Sequence, residues 1–395
     1  MKISLYLGIL WNLLTLILCS LESRIGSDWF EQLEKVDEMT RWYKFDFMTS
    51  MIFLKKQVGT SVFSPLCADV NILGQISEGE FENFSRSKAK DDLKFIFNEM
   101  KFKVFRSFNF FTCFYKKGVT LVDDVTLNIQ YKLFSMFRED FSFKNQYESF
   151  TEADAEEIIE KHSKWLENIS HGLITTPLKP SLLLNNDRIY SSFIFYNNIW
   201  AEKFNRNASY EDNFQLSNGK ICVRKFMRMV NPFKYVHICK DNLEYHIVVV
   251  PYERRWCHCT CYMFYLIPTT HDTDLSNLWD DFYTFCNGKI SDSMMRWDLK
   301  NIYLHIPTLE RLQSSFNLVD LLYDVFKYSK TYNLNASMTT YLNVDENDNQ
   351  KDKNENFSHE ILCVTANRPH ISFVLEYTSG RILLLTKDEG IISSE

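Results

Sequence analysis

The sequence predicts an α+β fold. Helical patterns dominate the first half of the chain and strand patterns the second, without the alternation that parallel-sheet crossovers require. Hydrophobic residues fill 45% of the 395 positions, 33 of them phenylalanine, enough for a sizeable core. Only 11 glycines occur, and no Walker, GxGxxG, GxSxG or HExxH pattern is present, which argues against folds built on glycine loops around phosphates. The formal charge of −7 gives no signal for nucleic acid, and no such partner is expected.

The elements follow in order. Met1-Lys2, the apolar run Ile3–Leu21 and small residues at Cys19-Ser20 predict a secretory signal peptide over 1–20, with a membrane anchor as the alternative. Residues 21–395 then form a single domain, with no Pro-, Gly- or Ser-rich linker and no further apolar span. From Asp28 to Lys55, Leu33, Val36, Trp42, Phe45 and Met48 recur at helical spacing. Val62-Phe63-Ser64-Pro65 reads as a short strand entering a helix, Ser64 as N-cap and Pro65 at the first helical position. Thr151 to Asp154 resembles a capping box before a helix that buries Ile158, Ile159, His162, Trp165 and Leu166. Strand-like runs follow at 189–196, 245–250, 260–267 and 301–306. Asn218-Gly219 marks a hairpin between Phe214–Leu216 and Ile221–Val223. Residues 341–363 start as a strand and become a charged, amide-rich run, before further strands at 371–376 and 381–386.

Secretion fits five N-glycosylation sequons, at Asn83, Asn168, Asn207, Asn335 and Asn356. Of ten cysteines, Cys19 would leave with the signal, and the odd number remaining defines no disulfide framework. Cys257-His258-Cys259-Thr260-Cys261 is dense in metal-binding types, but its cysteines alternate along a predicted strand and lack the spacing of zinc ligands. Core packing or a disulfide is the expected use, metal the alternative; no metal site and no cofactor is assigned. The doublets Lys116-Lys117, Arg224-Lys225 and Arg254-Arg255 read as solvated surface. No nucleophile is paired with a base, so no enzyme is expected.

Several segments together resemble the serpin family. Val62–Leu66 resembles its early strand and helix start, and Lys164–Asn168 with Gly172 and Ile174 its WVxxxTxGxI segment. Phe195-Tyr196 with Trp200–Phe204 resembles YFKGxWxxxF, Val250-Pro251-Tyr252 resembles LPY, and Met263–Pro268 resembles MxIxLP. Ile302–Pro307 resembles VxLPKF, and Ala366–Pro369, Phe373 and Thr378–Leu385 the closing segment. The resemblance covers residues 28–388. It implies a single serpin-fold domain with a large central mixed or antiparallel sheet, further sheets and about nine helices. Ser192-Phe193 and Asn197-Asn198 depart from the family's Asn-Ala and Lys-Gly. The loss of that Asn removes a polar group near the opening of the central sheet.

The resemblance also implies a role for 346–363 as the reactive loop. An inhibitory serpin offers this loop to a serine or cysteine protease, is cut, and inserts the loop as a new strand that traps the acyl-enzyme. Glu346 matches the hinge glutamate. Asp348 and Asn349 stand where Gly and Thr are expected, and Gln350 continues the polar hinge. Lys351, Asp352, Lys353 and Asn354 stand where Ala and Gly are expected. The candidate scissile region is Glu355, Asn356, Phe357 and Ser358, close enough to Glu346 that the inserted strand would be short. The expectation is a secreted, monomeric, non-inhibitory member that binds an extracellular protein. The alternative is a protease inhibitor acting by loop insertion. Loop chemistry favours the first, family membership the second.

Overall fold

The structure, a computed structural model, describes residues 38–68, 107–116, 143–170, 172, 188–196, 198–240, 243–253, 261–321, 334–346, 361–377 and 380–390. The expected signal segment and the sequon at Asn83 lie outside these residues. No described helix is long and apolar enough to cross a membrane.

Two mixed sheets organise the chain. The larger has nine strands. Across it lie β1 (Ser61–Phe63), β14 (Ile382–Asp388), β13 (His370–Glu376), β8 (Cys261–Pro268), β7 (Leu243–Pro251), β6 (Ile221–Lys240), β9 (Leu299–Pro307) and β12 (Leu362–Thr365), and β5 (Tyr210–Gln215) pairs with β6. β13 and β14 are buried along their whole length, their apolar centres Phe373–Leu375 and Ile382–Leu385 suiting strands covered on both faces, with the polar residues gathered toward their ends. The 20-residue β6 is shared: 221–226 pair with β5, 226–234 with β9 and 234–240 with β7. Pro232 falls where β9 alone is in register, a place where a strand tolerates a residue without an N–H. Leu216 and Lys220 close the β5–β6 hairpin, and Gly219 takes φ +78 there, a conformation that favours glycine.

The second sheet runs β10 (Leu309–Asn317), β11 (Leu334–Val344), β4 (Arg188–Tyr196), β2 (Ser107–Lys116) and β3 (Phe143–Phe150). β11 pairs directly and in parallel with β4, from Leu334↔Arg188 to Leu342↔Tyr196. Residues 191–194 of β4 and 338–342 of β11 are all buried, so both faces of this seam are covered. On one face Phe193 meets His162 (ring centroids 5.5 Å apart); Ile194 and Tyr196 belong to the main core.

The described residues carry five α-helices and the first turn of another from Pro65, fewer than the nine or so expected. The helices are α1 (Glu38–Lys56), α2 (Ala155–Ile169), α3 (Leu275–Phe285), α4 (Ile290–Met295) and α5 (Leu318–Leu321). Among the described side chains of α1, Phe47, Met51, Ile52, Phe53 and Leu54 are buried and Met48 packs at the core's margin; those of the expected Trp42 and Phe45 lie outside the described side chains. α1 is fixed to α3 by the Phe47–Tyr283 stack (4.1 Å) and to the chain's last strands by the buried Asp46–Arg381 pair, two contacts of 2.8 Å. Ser64 caps as expected: its hydroxyl accepts from the Cys67 N–H (3.1 Å) and donates to the Leu383 carbonyl (2.7 Å). α2 begins a turn later than the expected box places it, with Asp154 rather than Thr151 in the N-cap position and no side-chain cap there. The Asp154 carboxylate accepts from the Thr151 N–H (2.5 Å), and Ile158, Ile159, His162 and Leu166 are buried with Trp165 half-buried. Burial pushes His162 down to about 3, so it stays neutral.

Candidate functional site: the end of β11

β11 leaves the sheet at Val344, and the chain after it is the predicted loop. Contacts at Asp345 and Glu346 fix its exit. The Trp200 Nε1–H donates to the Asp345 carbonyl (2.8 Å), and the Trp200 ring stacks on Tyr252 at 4.4 Å. Asn343 Nδ2 donates to the Asp345 carboxylate (2.8 Å). Glu346 is only 1% exposed and receives the Ser209 hydroxyl at 2.6 Å and Lys225 Nζ at 2.8 Å, with Arg206 Nε at 4.0 Å. Burial alone would raise the Glu346 carboxyl, but hydrogen bonds from Lys225 and Ser209 outweigh it and hold the group below its ordinary value. The Glu346 hydrogen bond raises Lys225 in turn. The matched hinge glutamate is therefore clamped to the β5–β6 region rather than loose.

Lys225 was not legible as a site residue. The doublet Arg224-Lys225, expected to be solvated surface, is a correction: Arg224 is 9% exposed and holds the buried Asp388 carboxylate by contacts of 2.6 and 2.8 Å, while Lys225 reaches Glu346. Alternation along β6 sends the two neighbours to opposite faces, each toward a distant carboxylate. Burial would lift Asp388, but Arg224 and then His370 hold it low. Lys116 stands in β2; Lys117, Arg254 and Arg255 lie outside the described residues.

Of the other loop residues, Asp348, Asn349, Gln350, Lys351, Lys353, Glu355, Asn356, Phe357 and Ser358 lie outside the described residues. Asn168 is exposed at the end of α2, and Asn207 is exposed in a short 3-10 turn, Arg206–Ala208, beside the Glu346 clamp. Asn335 stands within β11 opposite Ile189. Ser192 is buried in the seam, in register with Met338 of β11 and Phe111 of β2, and Asn198 bonds the Tyr196 hydroxyl (3.2 Å). Cys261 opens β8 and is buried; Cys257 and Cys259 lie outside the described residues. Among the described residues no three or more His, Cys, Asp or Glu side chains converge on a metal position.

The family model described as Serpin (serine protease inhibitor) matches residues 54–387. The chain belongs to the serpin family. Among solved structures, this serpin resembles native protease nexin-1 with heparin, at 15% identity and a TM-score of 0.69 over 90% of this chain and 100% of that one. It also resembles the Arabidopsis serpin AtSerpin1 in its native stressed conformation, at 15% identity and a TM-score of 0.67 over 88% and 96% of the two chains. These identities speak to the fold alone. Serpin-Z7 of Hordeum vulgare is 25% identical over 133 residues, 33% of this chain. The chain spans about a third of the length of the curated relatives it matches. Serpins as a family are protease inhibitors that bind proteases rather than catalysts. In this serpin the seam between β4 and β11 is closed, strand against strand.

Proposed function

We propose that this serpin is a secreted protein that does not trap proteases by loop insertion and acts by binding an extracellular protein partner. One observation carries the reading: the β4–β11 seam is buried on both faces, and the chain that would have to fill it reads Asn347-Asp-Asn-Gln-Lys-Asp-Lys-Asn-Glu355. An inserted strand puts alternate side chains on alternate faces, so no register spares the charges. Each buried charge costs several kcal/mol, against about 1.5–3 kcal/mol regained per large apolar side chain, and this segment has none. Length adds to the difficulty. Residues 347–355 would have to supply both the turn and a strand to match the nine residues of β4. Withdrawal of Glu346 from its clamp is a further cost.

The secreted protein is incubated with a panel of serine and cysteine proteases, and its melting temperature is taken before and after nicking the loop. Cleavage without a covalent complex and with an unchanged melt is the expected result. An SDS-stable complex, or a large rise in melting temperature on nicking, refutes the reading.

A further inference from the structure

The hairpin of β6 and β7 carries side chains that the loop leaves unused. At this end of β6, Val236 and Ile238 pack on the core, so His237 and Cys239 face outward. β7 returns in antiparallel register with His237 opposite His246 and Cys239 opposite Glu244. Directly opposed residues bring their Cβ atoms to about 4.5–5.5 Å, close enough for two side chains to share one ligand. The two imidazole ring centroids lie 4.8 Å apart, and the ring planes are 23° from parallel.

Each ring already has one nitrogen occupied. His246 Nδ1 bonds the Tyr235 hydroxyl at 2.9 Å, and His237 Nε2 bonds the Glu244 carboxylate at 2.9 Å. Tyr235 is itself held by Lys300, whose ammonium sits 5.1 Å from the ring centre. Histidines that ligate metals use this arrangement: one nitrogen is oriented by a carboxylate or other polar group and the second is left for the ion. Here the nitrogens left over are His246 Nε2 and His237 Nδ1. The charge of Arg368 near His246 opposes a cation, and that of Glu244 favours one.

We propose that His237 Nδ1 and His246 Nε2 together bind one divalent transition-metal ion of the zinc and nickel type on the outer face of this hairpin. Imidazole nitrogen suits this class of ion and not calcium or magnesium. Two protein ligands leave the remaining coordination positions to water, so the site is open and weaker than a four-ligand structural one. Glu244 and Tyr235 act as positioning residues.

The test titrates the full chain with Ni2+ in competition with a chromogenic chelator, comparing wild type with His237→Asn, His246→Asn and Cys239→Ser. One equivalent should bind wild type and Cys239→Ser alike. Either histidine variant should weaken it at least about tenfold, the scale that loss of even an orienting partner produces. A second readout needs no variant: Ni2+ should protect His237 and His246 of the wild type from acylation by diethylpyrocarbonate, read by peptide mass spectrometry. Absence of binding, absence of that protection, equal binding in the histidine variants, or a loss confined to Cys239→Ser would each overturn the proposal.

Discussion

Replacing Lys225 by alanine tests the clamp at the end of β11. Its ammonium lies 2.8 Å from a Glu346 carboxylate that is 1% exposed, so the variant leaves a buried charge with one hydroxyl at 2.6 Å and a guanidinium at 4.0 Å. A hydrogen bond to a charged group is worth about 1.5–3 kcal/mol. Lys225 is 40% exposed, and solvent screens its end of the pair, which puts the loss near the lower figure. At an m-value of about 3 kcal/mol/M this moves the urea midpoint down by about 0.5 M at pH 7. The loss must also depend on pH. Glu346 titrates below its ordinary 4.5 in the folded protein, so the pair stabilises the fold above that value and ceases to as pH falls through the folded pKa. The gap between wild type and Lys225→Ala should therefore close in acid, while Lys225→Arg should retain most of the stability. A gap under about 0.3 kcal/mol at pH 7, within the error of such pairs, or one that stays constant into acid, refutes the clamp.

Arg381→Met alone leaves the buried Asp46 carboxylate unpaired and should cost about 3–5 kcal/mol in urea unfolding, whereas Asp46→Leu combined with Arg381→Met should recover most of it. His162 is held neutral by burial with a folded value of about 3, against an ordinary 6.5. Its contribution is complete above 6.5 and falls at up to about 1.4 kcal/mol per pH unit as the solution is acidified toward 3. His162→Phe should flatten that limb of the stability–pH curve. Replacing residues 347–354 by a Gly-, Thr- and Ala-rich segment should make nicking raise the melting temperature, if charge is what bars the seam; an unchanged melt would place the obstacle in length. Expressed in a eukaryotic host, the protein should be recovered from the medium and lose mass with peptide-N-glycosidase, and Asn168→Gln and Asn207→Gln, both at exposed positions, should each remove one glycan.

Elements with one strong signal were legible in the sequence. β7, β8, β13 and β14 were legible from their apolar centres, Ile247–Val250, Met263–Ile267, Phe373–Leu375 and Ile382–Leu385, all of them buried, and β4 from Phe193-Ile194. The Asn218-Gly219 turn and the Ser64 cap rest on residues with a backbone role of their own. β6 was not legible at its true length: its burial alternates poorly and includes Pro232, because three different strands cover it in turn. β10 was not expected, since Glu310, Arg311, Gln313 and Ser315 break up any apolar run. Glu346 was placed by resemblance, but its partners were not, since a lysine in β6 carries no mark of the carboxylate it will meet. The His237–His246 pair is likewise set by hairpin register and not by any motif.

The pairing of β14 with β1 has a consequence for how the chain is made. Ser61 lies opposite Lys387, and Thr60 bonds Asp388, so one of the earliest described strands waits for the last. β14 is also the only described strand between β1 and β13. On the ribosome the nine-stranded sheet cannot close until residues 382–388 have emerged, and until then β1 lacks its only strand partner in that sheet among the described residues. Contacts of such long range are slow to form and leave apolar surface open to aggregation in the interval. A nascent chain halted before Ile382 should therefore be protease-sensitive and held by chaperones, even though most of its strands are already made.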